Sequence, residues 1–172
     1  GKTPLMTAAL TGNVKALEQL IRSGAVMDQK DYAGRNALFY AVEVGEMEAL
    51  RALLAFGGDV NTAIEGENDF RAGQTLLMYT AAYGVSLNDE LEDIISWLVK
   101  QGADIETVDA EGRTALILAA RRKREEAVKV LLALGADMDK KDFQGHDAYF
   151  YAEEDGDPGI IHLLREARKG EQ

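Results

Sequence analysis

One phrase recurs five times in this chain of 172 residues, and no other feature constrains the fold as tightly. Gly1-Lys2-Thr3-Pro4-Leu5-Met6-Thr7-Ala8-Ala9 returns as Gly34-Arg35-Asn36-Ala37-Leu38-Phe39-Tyr40-Ala41-Val42, then again from Gly73, Gly112 and Gly145, at spacings of 33, 39, 39 and 33 residues. A second phrase follows each of the first four copies: Gly24-Ala25-Val26-Met27-Asp28, Gly57-Gly58-Asp59-Val60-Asn61, Gly102-Ala103-Asp104-Ile105-Glu106 and Gly135-Ala136-Asp137-Met138-Asp139. Repeats of this period are supersecondary units that cannot cover their own apolar faces, so neighbours must stack. The spacing divides the chain into five units of one repeat domain, 1–33, 34–72, 73–111, 112–144 and 145–172, the last of them a cap.

Each unit reads as two short helices. Thr3, Asn36, Thr75, Thr114 and Asp147 offer a side-chain oxygen to cap a first helix. Small residues such as Ala8, Ala9, Ala119 and Ala120 let that helix pack closely against its neighbours. Gly12, Gly45, Gly84 and Gly156 then break the chain, with Lys123 at that place in the fourth unit. A second helix follows with apolar residues at helical spacing (Val14, Leu17, Leu20 and Ile21 in unit one), and Trp97 belongs to the core side of such a helix. It stops at Gly24, Gly57, Gly102 or Gly135, each suited to a left-handed C-terminal conformation. The polar, Gly-ended stretch that leads into the next unit has the composition of a tight hairpin. Asp157-Pro158 starts the last helix, which turns polar at Arg165, Glu166 and Arg168 and so reads as a terminal cap. Gly1 opens in mid-phrase, which leads us to expect further chain upstream.

These phrases resemble the ankyrin-repeat family, whose signature D-x-x-G-x-T-P-L-H-x-A-A with a later G-A-D-V-N is matched by almost every unit across the whole chain. Asp31, Asp109 and Asp142 hold the signature Asp, and Phe70 replaces it in unit three. Met6, Phe39, Met78, Ile117 and Phe150 stand where the family has His, so apolar packing is expected to replace the hydrogen bond made there. The irregular signatures and the absence of cysteine suggest a bacterial origin. The resemblance implies an all-α repeat solenoid of helix-turn-helix units joined by β-hairpin loops. It further implies a non-catalytic scaffold that grips a partner protein through a concave face built from hairpin tips and first helices.

Composition agrees with a binding module more than with chemistry. No apolar run approaches the ~20 residues of a membrane-spanning helix. The absence of cysteine excludes disulfides, a thiol nucleophile and thiolate metal sites, without identifying a compartment. A formal charge of −11 argues against nucleic acid and anionic membrane surfaces, and makes a partner with a basic or apolar segment the natural expectation. Only two histidines occur, His146 and His162; at i+4 they are followed by Phe150 and by Glu166, the latter a plain helix pair, and no Gly-rich phosphate loop is present. We therefore expect no enzyme activity, no metal and no cofactor, and a monomeric array. The rival reading is a regulatory or targeting domain of a larger enzyme or effector.

Two stretches break the regularity. Extra residues lengthen the hairpin between Asn61 and Gly73, and six more, Val85 to Glu90, precede the second helix of unit three. Insertions in such arrays fall in loops, commonly on the binding side. By unit the formal charge runs +1, −4, −7, +3 and −4, so Asp89, Glu90, Glu92 and Asp93 of unit three are expected to pair with Arg121 to Arg124 of unit four. At the finger positions stand Tyr32, Arg35, Phe70, Arg71, Gln74, Arg113, Phe143 and His146. On the first helices stand Tyr40, Tyr79 and Tyr83, with Arg122 at the end of one. Tyr40, Tyr79 and Tyr151 share one repeat position, where rings packed between neighbours compete with rings offered to a partner. Tyr and Arg dominate binding hot spots. These twelve residues, Tyr151 apart, are the candidate protein-binding set, with Phe70, Arg71, Tyr79 and Tyr83 at its centre.

Overall fold

The computed structural model describes residues 1–66, 70–84 and 91–170. Each unit begins where the sequence places a capping oxygen. Thr3 Oγ1 accepts the Met6 amide at 3.2 Å, Asn36 Oδ1 the Leu38 amide at 3.1 Å, and Thr114 Oγ1 the Ile117 amide at 3.3 Å. Asp147 Oδ1 accepts the Phe150 amide at 2.8 Å. Ten helices follow among the described residues: α1 (Pro4–Leu10), α2 (Val14–Arg22), α3 (Ala37–Val44), α4 (Met47–Ala55), α5 (Leu76–Tyr83), α6 (Leu91–Lys100), α7 (Ala115–Arg121), α8 (Glu125–Ala133), α9 (Ala148–Glu154) and α10 (Pro158–Gly170). Helices this short are marginal alone and draw their stability from packing. The odd-numbered helices form one row, α1 on α3, α3 on α5, α5 on α7 and α7 on α9. The even-numbered ones lie behind, with α2 on α4, α6 on α8 and α8 on α10.

The inner first-row helices α3, α5 and α7 are almost wholly apolar because both flanks and the rear are covered. Leu38, Phe39, Ala41 and Val42 of α3, and Leu116, Ile117, Leu118 and Ala119 of α7, are all buried. Second-row helices bury one stripe, such as Leu50 and Leu53 of α4 or Val128 and Leu131 of α8. Trp97 is half-buried, with the Arg51 guanidinium 5.2 Å from its ring. Asp157 Oδ1 accepts the amides of Gly159 and Ile160 and opens α10, the expected terminal helix.

Two expectations need correction. The signature His is not replaced by apolar packing throughout: in units one and three a thioether takes its place. Met6 Sδ accepts the Thr3 amide at 3.3 Å and Met78 Sδ accepts the Thr75 amide at 3.4 Å, closing reciprocal caps. The β-hairpins are tight turns rather than strand pairs. Asp31 N–H donates to Arg35 O at 2.9 Å and Gly34 N–H to Asp31 O at 3.0 Å, a two-bond closure repeated at Asp109–Arg113 and Asp142–His146. Among the described residues only the lengthened finger carries a bridge, Ala63 to Thr75. At the break between the two helices of a unit, Gly12, Gly45 and Gly156 are left-handed at φ 64–74°, as is Lys123 at 56°, whereas Gly84 is not.

Candidate protein-binding face

The fingers project from the first-row side, held by a buried carboxylate. Asp31 Oδ1 accepts the amides of Ala33 and Arg35 at 2.8 and 2.9 Å, and Oδ2 accepts the Tyr40 hydroxyl at 2.7 Å. Asp142 repeats this with the amides of Gln144 and His146 and the Tyr151 hydroxyl. Burial alone pushes both carboxyls up, but these hydrogen bonds outweigh it and hold each below the usual range. The same bonds, added to burial, push the Tyr40 and Tyr151 hydroxyls up to about 12. In unit four, where Leu118 replaces the tyrosine, Arg113 Nε fills Asp109 Oδ2 at 2.8 Å instead. Successive fingers join through their backbones: Glu65 N–H to Gly34 O, Ala110 N–H to Ala72 O, and Phe143 N–H to Glu111 O, all within 3.0–3.2 Å. The approach is so close at Gly34 that a Cβ there would lie 1.7 Å from Glu65 O, which only glycine tolerates.

The candidate residues divide by burial. Tyr40, Tyr79, Gln74 and Arg113 lie inside and present little surface. Tyr79 packs edge-on to Phe39 at 5.4 Å, the core role that competed with a contact role. Arg35 is largely covered, bound to Asp31, Glu43 and Tyr40. His146, on the finger just ahead of α9, stacks on Phe150 with ring centroids 3.7 Å apart and is half-buried. His162 is exposed.

The exposed members are concentrated at the fingertips. Tyr32, Phe143 and Phe70 are 98%, 77% and 61% accessible. Phe70 meets two arginines, with Arg71 Cζ 5.3 Å and Arg122 Cζ 6.0 Å from its ring. Arg122 also lies 4.8 Å from the Tyr83 ring and donates to the Tyr83 hydroxyl at 2.8 Å. Arg113 reaches back from unit four to the Phe70 carbonyl at 3.2 Å. Thus Phe70 and Arg71, on the finger between units two and three, form one half-open cluster with Tyr83 of unit three and Arg122 of unit four.

Among the described residues, the basic run makes no ion pair with Glu92 or Asp93 of α6. Lys123 pairs with Asp155 at 3.6 Å, Arg124 donates to the Gly84 carbonyl, Arg122 meets Tyr83, and Arg121 lies 5.5 Å from the Tyr151 ring. Asp89 and Glu90, like Val85 to Asn88 and Glu67 to Asp69 of the insertions, lie outside the described residues. Among the described residues no group of three or more His, Asp or Glu is placed to hold a metal ion, and no helix is long and apolar enough to cross a membrane.

Comparison with known proteins agrees with this architecture. A family model described as ankyrin repeats (three copies) matches residues 1–64, 60–142 and 77–171. Similar proteins include the transient receptor potential cation channel subfamily A member 1 of Drosophila melanogaster, 29% identical over 83% of this chain and 11% of that protein. L-asparaginase of Dirofilaria immitis is 32% identical over 80% of this chain and 27% of that protein. Ankyrin repeat domain-containing protein 63 of Homo sapiens is 31% identical over 76% of this chain and 33% of that protein. The chain therefore spans at most a third of these relatives, and all are eukaryotic, which gives the suggested bacterial origin no support. The repeated caps, the two rows of stacked helices and the family match together place the chain in the ankyrin-repeat family.

Proposed function

We propose that this chain is a non-catalytic protein-interaction array that grips its partner through the concave face formed by fingers and first helices. Ankyrin repeats are in general protein–protein interaction modules, which supports the broad reading. The finer reading is carried by one observation: Phe70, Arg71, Tyr83 and Arg122 cluster where the lengthened finger meets α5 and α7. The cluster combines an exposed apolar ring with aromatic and Arg groups, the residue types on which interface energy concentrates. Tyr32 and Phe143 extend the same edge, and Tyr40, Tyr79, Gln74 and Arg113 support it from beneath.

The test is affinity capture followed by mass spectrometry with three forms of the chain: unmodified, Phe70→Ala with Tyr83→Ala, and Glu18→Ala with Lys129→Ala on the second-row helices. Proteins retained by the first and third forms and lost from the second support the reading. Proteins lost only from the third overturn it. A second reading, that the array regulates or targets a larger protein, is favoured by the relatives named as a cation channel and an L-asparaginase, in which the matching region is a small part.

A further inference from the structure

Arg35, Arg113, Arg165 and Arg168 each have a carboxylate within 4 Å. Arg121 and Arg122 do not: among the described residues each is held by aromatic rings, Arg121 by Tyr151 and Arg122 by Tyr83 and Phe70, and both are exposed. In a chain with 30 acidic and 19 basic side chains, two adjacent arginines without an acid are conspicuous. Beside Arg121 a polar cavity of about 260 Å³ opens between α7 and α9, and His146 Nδ1 is buried at it without a hydrogen-bond partner. Glu111, Asp142 and Glu154 also line that cavity: Arg113 engages Glu111, the Tyr151 hydroxyl and two finger amides engage Asp142, and Glu154 is exposed at its rim.

Resting on the proposed binding face, we infer that Arg121 and Arg122 receive the carboxylates of an acidic segment of a partner protein, with an apolar side chain of that segment against Phe70. A guanidinium fixed against a ring has lost part of its rotamer freedom and still presents parallel N–H donors, which match a carboxylate two at a time. As the Nδ1–H tautomer, His146 donates one more hydrogen bond to a carboxylate entering beside Arg121. A Lys or Arg anchor finds the opposite situation, because the Tyr83, Phe70 and Tyr151 faces are already occupied by guanidinium groups. The formal charge of −11 draws basic segments at long range, but rim and contact charges decide which partner is held. Duplex or single-stranded nucleic acid needs a longer row of cations than these two, since Lys123 and Arg124 are engaged by Asp155 and the Gly84 carbonyl.

The test is NMR of the arginine side-chain Nε–Hε groups of the whole chain. It is titrated with a short peptide of Glu and Leu, the same peptide with Gln or with Lys in place of Glu, and single-stranded oligothymidylate. The Glu peptide is expected to shift Arg121 and Arg122 and to bind about tenfold or more tightly than the Gln peptide. That advantage should vanish in Arg121→Gln with Arg122→Gln and shrink at high salt. Equal binding of the Glu and Gln peptides overturns the inference, as does a stronger response to Lys peptide or oligothymidylate, or no response to any peptide. If the Lys peptide binds this face and the Glu peptide does not, the inference falls while the binding face stands. If every peptide that binds perturbs only α2, α4 and α8, both fall.

Discussion

The Tyr151 hydroxyl donates to Asp142 Oδ2 at 2.6 Å, nine residues back along the chain, and ties the first helix of the last unit to its own finger. Both groups are buried, so removing the hydroxyl strands a carboxylate oxygen. Hydrogen bonds to charged groups contribute about 1.5–3 kcal/mol, and Tyr151→Phe should therefore lower the unfolding free energy by about 2 kcal/mol. Urea denaturation measures this directly. A variant as stable as the parent would show that the contact contributes nothing net.

The same pair sets a pH signature. The Tyr40 and Tyr151 hydroxyls are pushed up from 10.0 to about 12 by burial and by Asp31 and Asp142. A raised pKa stabilises the fold fully below pH 10 and loses that contribution as pH climbs through about 12. The stability gap between the parent and the Tyr40→Phe, Tyr151→Phe double variant should narrow across that window. At the acid end Asp31 and Asp142 are held below their ordinary 3.8, so their stabilisation is present above that value and fades as pH falls beneath it. Denaturant midpoints across pH check both limbs, and a gap that widens above pH 10 would contradict the alkaline one.

Lys123 holds a left-handed conformation at φ 56° where three other units use glycine. That conformation costs a non-glycine residue about 1–2 kcal/mol, against about 0.5–1 kcal/mol for the extra freedom of an unfolded glycine. Its pair with Asp155 is exposed and adds little. Lys123→Gly should thus raise stability by about 0.5–1 kcal/mol, read as a higher melting temperature. A lower one would mean that the Asp155 contacts dominate.

Gln74 is completely buried, and neither its Oε1 nor its Nε2 finds a partner among the described residues. The cause is local: Phe70 stands where two other fingers have an aspartate that binds this position's side chain, Asp31 to Arg35 and Asp109 to Arg113. Burying an unpaired amide costs about 1–3 kcal/mol, so the similarly sized Gln74→Met should stabilise the chain by about 1 kcal/mol or more. Differential scanning calorimetry would show it, and a melting temperature below that of the parent would refute it.

Much of this architecture is legible in the sequence because it is local. A capping oxygen at Thr3, Asn36 or Thr114 and a terminating Gly24 or Gly135 act within one turn, so residue type and spacing suffice. The thioether caps of Met6 and Met78 are equally local, but Met reads as apolar, and the weak acceptor in its side chain is easily passed over. Burial is different, since it depends on the neighbouring unit. Tyr40 and Tyr79 share a row with exposed-looking positions, and only the next helix decides that the rings point inward. One signal was available: Asp31 and Asp142 each precede a tyrosine by nine residues, whereas Asp109 precedes Leu118 and leans on Arg113. The meeting of Phe70 with Arg122 joins residues 52 positions apart, a contact that no periodicity within one unit encodes.

Whether binding resides on the finger and first-helix face is decided by titration calorimetry against a captured partner. Tyr83→Ala and Arg122→Ala should each cost about 2 kcal/mol, roughly thirtyfold in affinity, with circular dichroism unchanged. Glu18→Ala, Arg51→Ala and Lys129→Ala, all on second-row helices, should leave the affinity within about twofold of the parent. Loss of affinity in the second-row variants, with Tyr83→Ala and Arg122→Ala binding as the parent does, would contradict the claim.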